Sequence, residues 1–311
     1  MGCCSTELKS PYNTCNLTLR NVATEILKIF PMENNKILVC SSTTYQILNL
    51  SEENTPESVE FEKEIYTAAV VYRKDGLKLI QGTTEGRIYI EDIETDDLLT
   101  IIGHKSTVTC LLVLRNKKLC SASADGQVII WNIKNGKDLY NFYPHNQIIW
   151  SIIELNDGNL LSISGDNTGN IVSYGKEMKL LFTFKALNSK CIIQLFDGRV
   201  VYNSNLDIYI YKLGNIPDIN IPEETFQKGQ YEPDFVIKEA HLIGISVIIQ
   251  LKNGDICSAG DDGFIKLWSL EFKFQMIIEL DAHKTKVNDI VEFNNTMISC
   301  SNDRTIKVWV N

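Results

Sequence analysis

The sequence lacks most of what would mark it as an enzyme, a membrane span or a nucleic-acid binder. No G-x-S-x-G, H-E-x-x-H, phosphate-loop or dinucleotide glycine pattern occurs, which removes the commonest signatures of hydrolases, metalloproteases and nucleotide-dependent enzymes. No apolar run approaches the roughly 18 residues a membrane helix needs, and no secretory apolar segment opens the chain. No convincing long helix can be read. The net charge is -9 and no basic cluster stands out, so a nucleic-acid partner is not expected. Proline is sparse, with 7 in 311 residues, and there are only four His and four Trp. With so few His, a catalytic or metal role has to be argued from where each one falls.

Six of those eight His and Trp residues fall into one repeating frame. His104, Ser121, Asp125 and Trp131 form one set; His241, Ser258, Asp262 and Trp268 a second; His283, Ser299, Asp303 and Trp309 a third. The His-to-Asp gap is 21, 21 and 20 residues, and the Asp-to-Trp gap is always 6. A unit of about 40 residues that repeats and ends on an aromatic predicts stacked β-sheets. The frame extends to seven windows: 25–50, 66–93, 104–133, 145–174, 190–213, 241–270 and 283–310. Asp75-Gly76, Asp157-Gly158, Asp197-Gly198 and Asn253-Gly254 precede the second strand of their windows and predict tight hairpins. Glu85-Gly86, Asp125-Gly126, Thr168-Gly169 and Asp262-Gly263 are read as the next turn. Runs such as Gln127-Val128-Ile129-Ile130 between turns are buried strands.

Three strands per window plus a linking fourth make a four-stranded blade. On the stretches GHKSTVTCLLVLRNKKLCSASADGQVIIWN, DDGFIKLW and NDRTIKVW, the chain resembles the WD-repeat β-propeller family over about residues 15–311. The resemblance implies an all-β, seven-bladed propeller of antiparallel sheets. It also implies that each His, Ser, Asp and Trp set is a buried hydrogen-bonded tie within its blade. The chain departs from the pattern in places. Only one repeat has the Gly-His pair, none ends in Trp-Asp, and repeats 1, 2, 4 and 5 lack the full set. Tyr174 and Tyr211 are assigned to the Trp position of repeats 4 and 5.

The last window stops after its third strand. The alternating segment Cys15-Asn16-Leu17-Thr18-Leu19-Arg20 is therefore expected to supply the fourth and close the ring. Residues 14–311 form one propeller, preceded by a free tail, 1–13. The spacing from Tyr211 to Trp268 is 57 residues, which places a protruding loop at 214–235 between blades 5 and 6. The nine Cys include Cys120 and Cys257 at one position of the frame, with Cys40 and Cys300 in similar strands. Equivalent positions in different blades are too far apart to pair, so free buried thiols in a reducing compartment are expected.

The frame assigns three of the four His to scaffold, and His145 opens repeat 4 at the equivalent position. No catalytic, metal or cofactor site is predicted, and no small-molecule substrate. The expected function is a non-catalytic scaffold or adaptor that binds a protein or peptide on one propeller face. Family resemblance places that face at the start of the inner strands and just before the turn Asp. Carried over by the frame, it comprises Thr109, Trp150, Lys190, Ser246 and Asn288, together with Ile148, Lys286, Asp261 and Asn302. Trp150 is either an interface anchor or a wedge between blades. Lys190, Lys286 and Asn288 are candidates for an acidic or phosphorylated peptide. Residues 51–97 carry 13 acidic and 5 basic side chains, either a site for a basic partner or a solvated rim. The opening Met1-Gly2-Cys3-Cys4-Ser5-Thr6 fits N-myristoylation of Gly2, with Cys3 or Cys4 able to add a palmitoyl chain. That reading puts the protein at the cytoplasmic face of a membrane. The alternative is a cytoplasmic subunit of a larger assembly, such as a ubiquitin-ligase receptor, trafficking or cytoskeletal complex, with no lipid anchor.

Overall fold

The computed structural model describes residues 12–20, 26–50, 57–60, 66–72, 76–175, 178–213 and 233–310. Among them, 28 strands form seven four-stranded antiparallel sheets. In six sheets the strands lie in chain order, inner to outer. The inner strands touch their neighbours consecutively round the ring, the last against the first. Alternation explains the stacking. Each blade has two apolar faces, and seven apolar clusters of buried residues each join two adjacent blades. The seam between blades 2 and 3, for example, holds Ile80, Ile88, Val108, Leu119 and Trp131. The smallest buried set, Leu38, Cys40, Tyr45 and Leu79, joins blades 1 and 2.

Blade 7 takes its outer strand from the start of the chain. Thr14–Arg20 pairs antiparallel with Thr305–Val310, with Cys15 opposite Trp309 and Leu19 opposite Ile306. Closure removes the open sheet edges that would otherwise flank the first and last blades. Tyr12 was placed in the tail from sequence. Tyr12 is buried among Leu251, Cys257, Met297 and Trp309, and its hydroxyl donates to Glu292 Oε1 at 2.5 Å. Gly2, Cys3 and Cys4 lie outside the described residues, as does 214–232. Phe235, placed in the loop from sequence, opens the outer strand of blade 5, Phe235–Ile237, paired with Asp207–Tyr211.

Tyr174 does not hold the Trp position of blade 4. In blade 3, Leu119 faces Trp131; in blade 4 the equivalent Leu160 faces Val172, so Val172 and not Tyr174 holds the Trp position. The slip came from reading Thr168-Gly169 as the turn. The turn is Asp166-Asn167, where Asn167 takes the left-handed conformation (φ 64°) that Gly126 takes in blade 3 (φ 80°). Asn tolerates that region because its short amide bonds locally. Tyr174 instead ties blades 3 and 4, accepting from Asn116 Nδ2 at 3.1 Å and donating to Glu154 at 3.3 Å. Tyr211 does hold the position in blade 5, opposite Val200.

Candidate interaction face

The four His are distributed among four blades and do not converge. Each lies in the loop before an inner strand and reaches the second strand of its own blade. In blade 7, Trp309 Nε1–H donates to Ser299 Oγ at 2.9 Å, and Ser299 Oγ is 2.8 Å from His283 Nε2. His283 Nδ1 lies 3.1 Å from Asp303 Oδ2 and 3.0 Å from Thr305 Oγ1. With a proton on Nδ1, the chain of donors runs Trp to Ser to His to Asp, and every buried polar atom in it is used. Blade 6 repeats it through Trp268, Ser258, His241 and Asp262. Blade 4 keeps the polar part without the Trp: His145 to Ser162 at 2.9 Å and to Asp166 at 3.0 Å.

Blade 3, which fits the sequence pattern best, is the least complete. His104 Nε2 to Ser121 is 2.6 Å and Trp131 to Ser121 is 2.8 Å, but His104 Nδ1, Asp125 Oδ2 and Gln127 Oε1 have no hydrogen-bond partner. Burial pushes His104 down to about 4, and burial also holds His145, His241 and His283 below the usual imidazole range despite their Asp neighbours. His145, His241 and His283 are held at both ring nitrogens, as a structural tie requires. Among the described residues, no three His, Cys, Asp or Glu side chains gather as a metal site. No helix there is long and apolar enough to cross a membrane.

The predicted face divides into seam residues and free residues. Thr109 Oγ1 donates across to Ile149 O of blade 4 at 2.6 Å, and Ser246 Oγ to Val287 O of blade 7 at 2.5 Å. Asn288 Nδ2 reaches Ile26 O of blade 1 at 2.7 Å and Asn302 Oδ1 at 2.6 Å. These side chains stitch neighbouring inner strands, which leaves them little to offer a ligand. Trp150, at the same position in blade 4, is 41% exposed and meets Lys190 of blade 5, whose ammonium lies 5.8 Å from its ring centroid. Ile148 is half-buried beside Trp150, against Gly165. Lys286 sits 3.9 Å from Asp261 across the blade 6–7 junction, and Asn302 is exposed.

Lys190 and Asp261 line a cleft of about 580 Å³ between blades 5 and 6, together with Asn188, Asn205, Gly244 and Ile243. Three exposed apolar residues were missed from sequence: Ile243, which lines the cleft, and Leu242 and Leu187, which adjoin the lining residues Ile243 and Asn188 in the chain, at 63%, 77% and 48% exposure. The signal was present in the frame. The two residues after each His are Lys105-Ser106, Asn146-Gln147 and Lys284-Thr285 elsewhere, but Leu242-Ile243 in blade 6.

The fold and these ties define a class of repeat protein. The family model "WD domain, G-beta repeat" matches residues 96–132 and 274–310. Each match starts at the outer strand of one blade and ends at the third strand of the next, so the repeats interlock the ring. Two stretches of the chain thus match the WD repeat, and the described residues form a seven-bladed β-propeller.

A curated relative from Danio rerio, "p21-activated protein kinase-interacting protein 1-like", is 24% identical over 67% of this chain and 54% of its own length. "Ubiquitin homeostasis protein lub1" of Schizosaccharomyces pombe is 23% identical over 67% of this chain and 33% of its own length. Among solved structures, the WD40 β-propeller domain of Doa1 superposes with a TM-score of 0.77 at 18% identity, covering 97% of this chain and 98% of that one. The chain thus spans about half or less of the length of these two curated relatives, and the structural likeness establishes the fold.

Proposed function

We propose that this protein is a non-catalytic interaction scaffold that binds a protein or peptide on the face carrying Trp150, Lys190, Leu187 and Ile243. The observation that carries this reading is the exposure of bulky apolar side chains on loops that are polar in the other His-containing blades. An exposed apolar cluster rimmed by polar groups is a common mark of an association site. The rigid ring below it needs no reordering to bind, which keeps the entropy cost of association low. The relatives named above as a kinase-interacting protein and a ubiquitin homeostasis protein are consistent with a partner-binding role.

The proposal extends to the tail. Gly2, with Cys3 and Cys4, would anchor the scaffold at the cytoplasmic face of a membrane through a myristoyl and a palmitoyl chain, since one chain alone binds only marginally. Proximity labelling in cells tests the face: Trp150→Ala combined with Ile243→Ser should strip most labelled partners without lowering the melting temperature. An unchanged partner set removes the face. Fractionation of wild type against Gly2→Ala tests the anchor, and equal solubility of the two removes it.

A further inference from the structure

We infer that the cleft between blades 5 and 6 takes an extended protein segment bearing a carboxylate beside one or two bulky apolar side chains. This rests on the proposed use of that face and names the chemistry of its ligand.

The first observation is positional. By strand register, Ile192 of blade 5 matches Leu111 of blade 3, because Ile192 pairs with Tyr202 as Leu111 pairs with Ser121. Counting back five residues, Leu187 then matches Ser106, and the same position holds Gln147, Ile243 and Thr285 in blades 4, 6 and 7. Apolar side chains at this position therefore flank this one cleft. Their exposure means they contribute little to the core, so solvent exposure there is unfavourable until something covers them. Gly244 stands where blades 3, 4 and 7 have Thr107, Ile148 and Lys286, and a Cβ there would meet Asp261 Oδ2 at 2.7 Å. The glycine leaves the cleft open.

The second observation is charge. Lys28, Lys190 and Lys286 stand on or just before the inner strands of blades 1, 5 and 7. Lys28 is paired with Asp289 at 3.2 Å and Lys286 with Asp261 at 3.9 Å. Lys190 has no carboxylate partner among the described residues and rests against Trp150. A ligand carboxylate would complete it with a charge-assisted hydrogen bond. Asp261 lines the same cleft, and its negative charge opposes a phosphate dianion more strongly than a monoanionic carboxylate. An acidic side chain with apolar neighbours satisfies both the ammonium and the rim.

Arrays of nine-residue synthetic peptides test this, probed with the purified full chain. All have randomised flanks and Leu or Phe at two positions. The central residue is fixed as Glu, Gln, Lys or phosphoserine. Glu peptides should bind at least tenfold tighter than Gln peptides, and Lys190→Gln and Ile243→Ser should each lose at least fivefold. Lys190→Arg should restore most of the loss, and Phe196→Ser, at the opposite end of its blade, should change nothing. Equal binding of Glu and Gln peptides, preference for phosphoserine, or survival of binding in Lys190→Gln overturns the inference.

Partner labelling in cells separates the two readings. Partners kept by Lys190→Gln with Ile243→Ser but lost by Lys286→Glu with Asn302→Arg would leave the face standing without this ligand. Partners lost only by Phe196→Ser would remove both.

Discussion

Blades 7 and 5 solve the same packing problem with different chemistry. In blade 7 the space between the second and third strands holds Trp309 and Ser299, tied to His283 and Asp303. In blade 5 the same two positions are Tyr211 and Tyr202, which stack with Tyr209 at 5.8 and 6.0 Å from the Tyr202 ring, nearly parallel. Blade 2 differs again, with Gln81 and Glu91 at those positions, and Glu91 accepting from Tyr45 of blade 1 at 3.2 Å. The ring therefore requires a filled slot in these blades and tolerates unpartnered polar atoms there, as at Gln81 Nε2 and Glu91 Oε2. It does not require one residue set. The polar tie adds orientation: it pins the loop before the inner strand to the turn after the second strand, and the aromatic stack does not.

The largest test of that distinction is Trp309→Ala. It empties a buried indole site, leaves Ser299 without a donor and loosens the strand that meets Cys15. The cost should be about 3–5 kcal/mol by urea denaturation. Val172→Ala, at the equivalent position of blade 4, should cost about 2 kcal/mol. Equal costs would mean that the Trp is filler and the tie contributes nothing.

Acid should then separate tied from untied imidazoles. His104 sits at about 4 in the fold because it is buried, against about 6.5 unfolded. A depressed His contributes stability that is complete above pH 6.5 and declines as pH falls toward 4, because the unfolded chain takes up the proton first. That single group should cost roughly 3 kcal/mol across the window. His283 is also depressed, but Asp303 and its hydrogen bond oppose the effect of burial. Melting temperatures from pH 7.5 to 4.5 should flatten more in His104→Gln than in His283→Gln. The reverse order would mean that Asp125 stabilises His104⁺ after all.

The fold was legible because period and closure follow from residues that cannot be moved: a buried Trp three strands after a buried His, and an alternating segment with no partner except the last blade. The slip at Tyr174 shows the limit. Asn167 does the work of a glycine, and a turn recognised only by Gly shifts the frame by two residues. The face was half legible. Of the residues read from sequence, Trp150 is exposed and meets Lys190, whereas Thr109, Ser246 and Asn288 bond across seams, and backbone acceptors in a neighbouring blade leave no mark in sequence. Leu187 was hidden because blade 5 has no His from which to count.

The tyrosine stack invites a smaller test. Tyr202→Leu removes the ring contacts with Tyr209, Tyr211 and Phe184 and should cost about 2 kcal/mol. Tyr202→Phe removes a hydroxyl that reaches Lys185 O at 3.4 Å and also meets the Tyr211 hydroxyl, and should cost about 0.5–1 kcal/mol. If the two cost the same, the hydroxyl rather than the stack holds blade 5, and blade 5 would be polar-tied like blade 7.

The smallest effect asks whether blade 3 can be made to resemble blade 7. Thr305 Oγ1 lies 2.6 Å from Asp303 and 3.0 Å from His283 Nδ1, and Thr168 plays the same part in blade 4. Gln127 occupies that place in blade 3. Its amide nitrogen reaches Asn141 at 2.7 Å, while His104 Nδ1 and Asp125 Oδ2 go without partners. A threonine hydroxyl can donate to Asp125 Oδ1 and accept from His104 Nδ1–H, which gives one buried atom a partner and removes the unpartnered Gln127 Oε1 for the loss of one bond to the exposed Asn141. Gln127→Thr should therefore stabilise the protein by about 0.5–1 kcal/mol. Because a hydroxyl accepting from His104 Nδ1–H also favours the protonated ring, its NMR titration should move upward from about 4. Stability gained with no movement of that titration would mean that the threonine acts through strand propensity instead, and that the open set in blade 3 costs the fold nothing.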